Sequence, residues 1–227
     1  MINNTKPNLT PIPQGRPPAS ESEGRRERIL DNALSLFAEH GIAGTTVAQI
    51  GKASGVTPAM VHYYFDNREG LLDAIVEERL APALTYIYEG CSGEVLADPR
   101  RMITELIDRL LEAVERMPQI PPLWSREVFN AGGLLRERVV ALVPMERFAA
   151  ASHALSLAQK EGTINAHVLP PLVITSALAL IMIPLTALDM ADRIPTMPPL
   201  DKETLRRHAL ALLLDGLCPQ NNREEQR

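Results

Sequence analysis

The sequence predicts an all-α protein: an N-terminal domain of three short-to-medium helices and a larger helical C-terminal domain. Three observations carry this prediction. Apolar residues recur at threes and fours through nearly every patterned segment, and strand-like alternation is almost absent. Those segments are rich in Leu, Ala and Glu, good helix formers, in a chain of 227 residues that is 45% hydrophobic but only 4% aromatic. Glycines and prolines punctuate the intervals, where helices stop and start. The length suggests one to two domains and is enough to bury a real core.

Residues 1–23 include Pro7, Pro11, Pro13, Pro17 and Pro18 among few apolar side chains. They lack the apolar core of a signal peptide and are expected to form a disordered arm with sparse basic charge at Lys6 and Arg16. A first helix is expected over Arg25–His40, where Ile29, Ala33, Leu36 and Phe37 form one stripe and Gly41 is the stop. Thr46 then caps a second helix, with Gln49 as its capping-box partner. Gly55 ends that helix and Val56 plugs the turn. Thr57 and Pro58, an N-cap followed by proline at the first helical position, start a third helix over roughly Pro58–Tyr64. A helix this short cannot be stable alone, so it must be held by its surroundings and can be presented outward. Val61 and Phe65 face the core in this reading, while Thr57, Pro58, Met60 and His62 point out. Asp66 or Asn67 caps the next helix, which carries Leu71, Leu72, Ile75, Val76 and Leu80 on one face up to about Pro82. Two helices joined by a glycine turn make a helix-turn-helix, here residues 24–70.

The spaced motifs IL-x2-A-x2-LF-x3-G, TT-x3-I-x4-GV and YYF-x2-R-x2-LL, within about Gly24–Pro82, resemble the N-terminal domain of the TetR family of transcriptional repressors. The resemblance implies DNA binding through Thr45, Thr46, Thr57, Pro58, Met60, His62, Tyr63, Tyr64 and Arg68. Tyr63 and Tyr64 occupy the family's positions for phosphate and base contact, and Arg68 its position for phosphate. Thr45 and Thr46 would offer hydroxyls and amides to the backbone. His62 stands where the family usually has tyrosine, and Arg68 where it has lysine, departures that bear on which operator is read. The implied function is a ligand-responsive repressor that binds an inverted-repeat operator as a homodimer. The alternative is a helix-turn-helix regulator that works through a protein partner, or as an activator, without a small-molecule ligand.

Charge narrows how such binding could work. A net charge of −5 argues against a general polyanion binder, so any DNA contact must be local, through a few arginines and helix N-terminal amides. Between Thr57 and Phe65 there is no Lys or Arg, which removes the bidentate arginine–guanine contact. Base readout would rest on Met60, His62, a tyrosine hydroxyl and thymine methyl groups.

Residues 83–218 are expected to form a ligand-sensing and dimerisation domain, followed by a disordered tail over 219–227. Ile103, Leu106, Ile107, Leu110, Leu111 and Val114 mark a helix over Arg100–Met117, which Pro118, Pro121 and Pro122 should break. A helix from about Leu123 is expected to end at Gly132-Gly133, and a longer one to run from Leu134 to Glu161 with a kink at Pro144 and a stop at Gly162. Val168–Leu188 contains no charged residue and is long enough to span a bilayer. Its prolines, its Thr and Ser, and the lack of an aromatic belt argue instead for a helix buried on both sides. Leu205–Leu217 carries two stripes, Leu205/Ala209/Leu212/Gly216 and Leu210/Leu214/Leu217. These two segments, at about 168–190 and 201–217, would form a four-helix bundle with their copies in a second subunit, and the proline-bearing stretch Asp192–Leu200 would connect them.

A domain with few aromatics and many Leu, Ala and Met side chains can open an apolar pocket between helices for a small apolar or amphipathic effector. Trp124, Arg126, Glu127, Asn130 and His153 are its candidate contacts. His153, His167, Asp189 and His208 have no metal-ligand spacing, so no metal or cofactor is expected. No phosphate loop, nucleophile elbow, HExxH or CxxC argues for an enzyme. Cys91 and Cys218 read as reduced thiols of a cytoplasmic protein.

Overall fold

The computed structural model describes residues 19–186 and 201–218. The expected arm up to residue 18, the connection 192–200, Asp189 and the tail 219–227 lie outside the described residues. All regular structure among the described residues is helical.

Helix α1 spans Ala19–His40, α2 Val47–Ser54 and α3 Pro58–Phe65. Helix α1 starts earlier than Arg25, so residues 19–23 are helical rather than part of a disordered arm. An Arg25–Glu21 pair one turn apart at 2.6 Å and a contact of the Ser22 hydroxyl with the Tyr64 hydroxyl at 3.1 Å hold the added turn. The caps are those the sequence implies. Thr46 and Gln49 make both bonds of a capping box, Thr57 accepts the Met60 amide, and Asn67, not Asp66, caps the following helix by accepting the Gly70 amide. Each such cap contributes about 1 kcal/mol.

That following helix does not stop at Pro82. Helix α4 (Arg68–Ile75) runs through a π-helical turn (Val76–Leu80) into α5 (Ala81–Glu89). Pro82 has no amide to donate, and its ring would collide with the carbonyl four residues back in a regular helix. The wider turn just before it, in which the Ala81 amide reaches the Val76 carbonyl, relieves that conflict and keeps the rod continuous. Leu71, Leu72, Ile75, Val76 and Leu80 are all buried.

A 3-10 turn (Gly93–Ala97) leads to α6 (Pro99–Arg116), whose stripe from Ile103 to Leu111 is buried. Pro121 and Pro122 do not merely interrupt the chain: they occupy the first turn of α7 (Ile120–Glu127), where a missing amide costs nothing. The expected long helix with a kink is two helices, α8 (Arg136–Leu142) and α9 (Met145–Lys160). Pro144 forces Val143 into extended backbone, ψ 122°, and this breaks the helix outright.

Helix α10 spans Pro170–Thr186, and α11 spans Lys202–Leu217. No described helix is long and apolar enough to cross a membrane. Helix α10 buries Val173, Ile174, Ala177, Ile181 and Met182 but exposes Leu172 and Ile183. On α11 the stripes fall differently from expectation: Leu205, Ala209 and Leu217 are buried together, while Leu212 and Gly216 are exposed. The inward face is set by packing on α6, where Arg206 pairs with Asp108, and a stripe drawn by spacing alone cannot know that direction. One continuous apolar core runs from Ile29 in α1 to Leu217 in α11.

Candidate nucleic-acid interface and inner cavity

Helix α3 is anchored from one side only. Val61 and Phe65 are buried in the core, with Arg26 of α1 stacked 5.0 Å over the Phe65 ring. Helix α2 presses so closely on the turn that a Cβ at Gly51 would lie 2.9 Å from the Val56 carbonyl. Only glycine lets the two helices approach to that distance, a requirement visible in the sequence merely as an unremarked glycine. Gly55 takes the left-handed conformation, φ 68°, that closes the turn.

The outward face carries most of the residues predicted for DNA contact. Thr57, Pro58, His62 and Tyr63 are exposed, Tyr63 by 67%, and Met60 is half-buried. The His62 ring nitrogen Nδ1 lies 3.2 Å from the Asp66 carbonyl, which leaves the opposite edge of the ring outward. Tyr63 meets Tyr64 edge-on, with ring centroids 5.3 Å apart. Tyr64 is half-buried, and its hydroxyl is engaged with Ser22, so it ties α3 to α1 rather than lying free.

Two predicted contacts are otherwise occupied. Thr45 is fully buried, and its hydroxyl reaches the Gly41 carbonyl at 2.8 Å and the Leu36 carbonyl at 3.3 Å. It closes the α1–α2 turn and is not available to a phosphate. Arg68 donates to the carbonyls of Thr45 and Ile42, and so stitches the start of α4 to that same turn. Thr46 is exposed, but its amide and hydroxyl both engage Gln49. The free cations lie elsewhere. Arg25 and Arg26 are paired with Glu21 and Glu78, whereas Arg28 and Lys52 are exposed and form no ion pair among the described residues. Lys52, on α2 beside the turn, was not singled out by the pattern of the recognition helix. The Arg26 guanidinium grips Glu78 with two bonds of 2.6 Å and holds that carboxyl below its ordinary pKa.

Below this unit, α5, α6, α7 and α10 enclose a narrow cavity of about 40 Å³. Its wall includes Leu84, Tyr88, Leu110, Trp124, Val143 and Met182. Among the predicted contacts only Trp124 lines it. Arg126, Asn130 and His153 are exposed, because they fall on the solvent side of their segments. Glu127 is buried but turns away from the cavity: one carboxylate oxygen accepts the Ile42 amide at 2.8 Å and the other the Leu134 amide at 3.1 Å. A separate surface groove of about 390 Å³ runs between α10 and α11, walled by Leu169, Leu172, Leu212 and Gly216. No cluster of metal-binding side chains occurs among the described residues.

Residues 29–75 match the model of the bacterial regulatory proteins, tetR family. The transcriptional repressor KstR2 of Rhodococcus jostii is 30% identical over 118 residues, 49% of this chain and 55% of the relative. The chain spans about half the length of the curated relatives it matches. Among solved structures, the ketosteroid transcriptional regulator KstR2 of Mycobacterium tuberculosis superposes with a TM-score of 0.67 at 18% identity, over 86% of this chain and 96% of the other. The transcriptional regulator FadR of Bacillus subtilis, solved with stearoyl-CoA, superposes with a TM-score of 0.61 at 19% identity, over 84% and 98%. These likenesses extend the shared fold well beyond the N-terminal domain.

Proposed function

We propose that the chain, whose residues 29–75 match the tetR family of bacterial regulatory proteins, is a ligand-responsive repressor binding an inverted-repeat operator as a homodimer. The exposed face of α3 carries this reading. A tyrosine 67% exposed beside an exposed histidine contributes nothing to the core, and the short helix offers it outward on a rigid base of Val61 and Phe65. One such helix specifies few bases. A two-fold dimer sets two of them in successive major grooves, about 34–36 Å apart. The exposed Leu172, Ile183 and Leu212 of α10 and α11 supply the apolar faces for that pairing. With Arg68 engaged by carbonyls, phosphate contact falls to Lys52, Arg28 and the amides at the start of α3.

The cavity walled by Trp124 is the place for a small apolar or amphipathic effector. The ligand must bind the DNA-incompetent arrangement more tightly, typically with about 1–3 kcal/mol of coupling. A second reading, a regulator that acts through a protein partner, is favoured by the smallness of this cavity. Its 40 Å³ is far below the roughly 300–1,000 Å³ of an open ligand site, so an effector must widen it.

Selection of bound sequences from random duplex DNA, followed by a salt titration on the winner, tests the DNA-binding reading. An inverted repeat whose affinity falls by about 0.9 log units per phosphate contact for each log unit of salt is the expected result. Enrichment of no sequence would overturn it.

A further inference from the structure

We infer that Glu127 is the residue through which the state of the inner cavity reaches the DNA-reading domain, an inference that rests on the functional reading above. Helix α7 is eight residues long. Its N-terminal part supplies Ile120 and Trp124 to the cavity wall. Its last residue, Glu127, enters the neighbouring domain, where it is only 7% exposed.

The bonds there form a chain without a loose link. Glu127 accepts the Ile42 amide at 2.8 Å, in the turn between α1 and α2. The carbonyl of the same Ile42, and that of Thr45, accept from Arg68 at the first position of α4. Arg68 follows the last residue of α3 by three positions. From the cavity wall at Trp124 to the end of the recognition helix, the steps are therefore one helical turn, a hydrogen bond across the domain boundary, one residue of a closed turn and a guanidinium clamp. The second oxygen of Glu127 holds the Leu134 amide at 3.1 Å, so the segment after α7 moves with it.

The choice of residue supports the assignment. Burying a carboxylate with no cation beside it is costly, and an apolar side chain would fill the space with no such cost. Glu127 has no ion-pair partner among the described residues; backbone amides alone satisfy it. The carboxylate also has little room to shift. A Cβ at Gly41 would lie 3.4 Å from its oxygen, and one at Gly133 would collide with the Glu127 backbone. By contrast, two other ties between the domains, Arg138 with Asp73 at 2.7 Å and with Glu69, and Gln119 with the Ser35 hydroxyl at 3.2 Å, are exposed and contribute little.

Coupling between two sites is reciprocal, so a signal from cavity to DNA must also run from DNA to cavity. This permits a test without knowing the effector. Trp124 is the sole tryptophan and lines the cavity, so its fluorescence reports on the cavity directly. The full-length protein is titrated with the duplex selected above, and Trp124 emission is followed in wild type, Glu127→Gln, Glu127→Ala and Arg138→Ala. In Glu127→Gln one amide bond can persist, while the side-chain NH2 would meet the other backbone N–H donor to donor. DNA-dependent emission changes in wild type and Arg138→Ala, lost in Glu127→Gln while it still binds the duplex within about threefold of wild type, are the expected result. Glu127→Ala should lose the change as well; should it fail to fold, Glu127→Gln decides alone. An unchanged response in Glu127→Gln, or no response in wild type despite DNA binding, overturns the inference. Failure of wild type to bind any duplex instead overturns the reading on which it rests.

Discussion

Arg68 donates to the backbone carbonyl of Thr45 at 2.8 Å, and its second terminal nitrogen reaches the carbonyl of Ile42. The first residue of α4 thus closes the turn that precedes the helix-turn-helix. A residue that the motif assigns to phosphate contact has a structural task.

Arg68→Ala should therefore lower the stability of the whole protein, by about 1.5–3 kcal/mol for lost bonds to a charged donor. Arg68→Lys should recover only part of this, since an ammonium lacks the planar fork that spans two carbonyls. Thermal denaturation measures both. A full-strength fold with selectively weakened DNA binding in Arg68→Ala would contradict the placement.

The exposed side chains of α3 should behave in the opposite way. Tyr63→Ala is expected to change stability by no more than about 0.5 kcal/mol and to weaken duplex binding by about tenfold or more, which corresponds to a contact worth at least about 1.4 kcal/mol. His62→Ala should alter the sequence preference recovered by selection. A footprint and preference unchanged in His62→Ala would remove that residue from base readout.

Adjacent threonines separate by environment. Thr45→Val deletes a buried hydroxyl that serves two carbonyls and should cost about 1–2 kcal/mol. Thr46→Ala removes an exposed N-cap and should cost about 1 kcal/mol. Urea titrations of the two variants, analysed at common slope, give the comparison. Loss of DNA affinity in Thr45→Val beyond its loss of stability would restore a phosphate role to that side chain.

Leu172 is 53% exposed on α10, beside the groove with α11. Placing a charge there by Leu172→Glu should leave the helical fold intact and dissociate the proposed dimer, as sedimentation velocity would show. A dimer of wild-type strength in that variant would exclude this face from the subunit contact.

Cys91 is fully buried, and burial pushes its thiol up to about 11 from an ordinary value of 9.0. The folded state thus holds its proton more tightly than the unfolded one. The associated stability is present below about pH 9 and is lost as the pH rises toward about 11. Iodoacetamide at pH 8 should leave Cys91 unmodified in the native protein and alkylate it in urea, with mass spectrometry as the readout. Rapid native labelling would show that the thiol is accessible.

Much of the N-terminal domain was legible because its signals are local. A capping box, a left-handed glycine, a proline at the first helical position and an Asn cap act within four residues, and each appears where the pattern implied it. The C-terminal domain was less legible where one local rule met another. Pro144 broke a helix that periodicity would have continued, Pro82 was absorbed by a π turn, and Pro121 with Pro122 began a helix in place of ending one. Nothing within a few residues of a proline tells which of these outcomes packing will select.

The sequence by itself determined the helical class, the helix-turn-helix with its caps, and the inward Val61 and Phe65 against the outward Pro58 and His62. Periodicity and capping are properties of neighbouring residues, so these follow without a partner. Only the tertiary structure decided what the polar side chains do. Thr45, Tyr64, Arg68 and Glu127 find their partners 9, 42, 23 and 85 residues away. A buried hydroxyl, guanidinium or carboxylate must satisfy its hydrogen bonds wherever the fold brings a donor or acceptor. Those demands turned two expected DNA contacts into stitches of a turn, and an expected ligand contact into the strut between the domains.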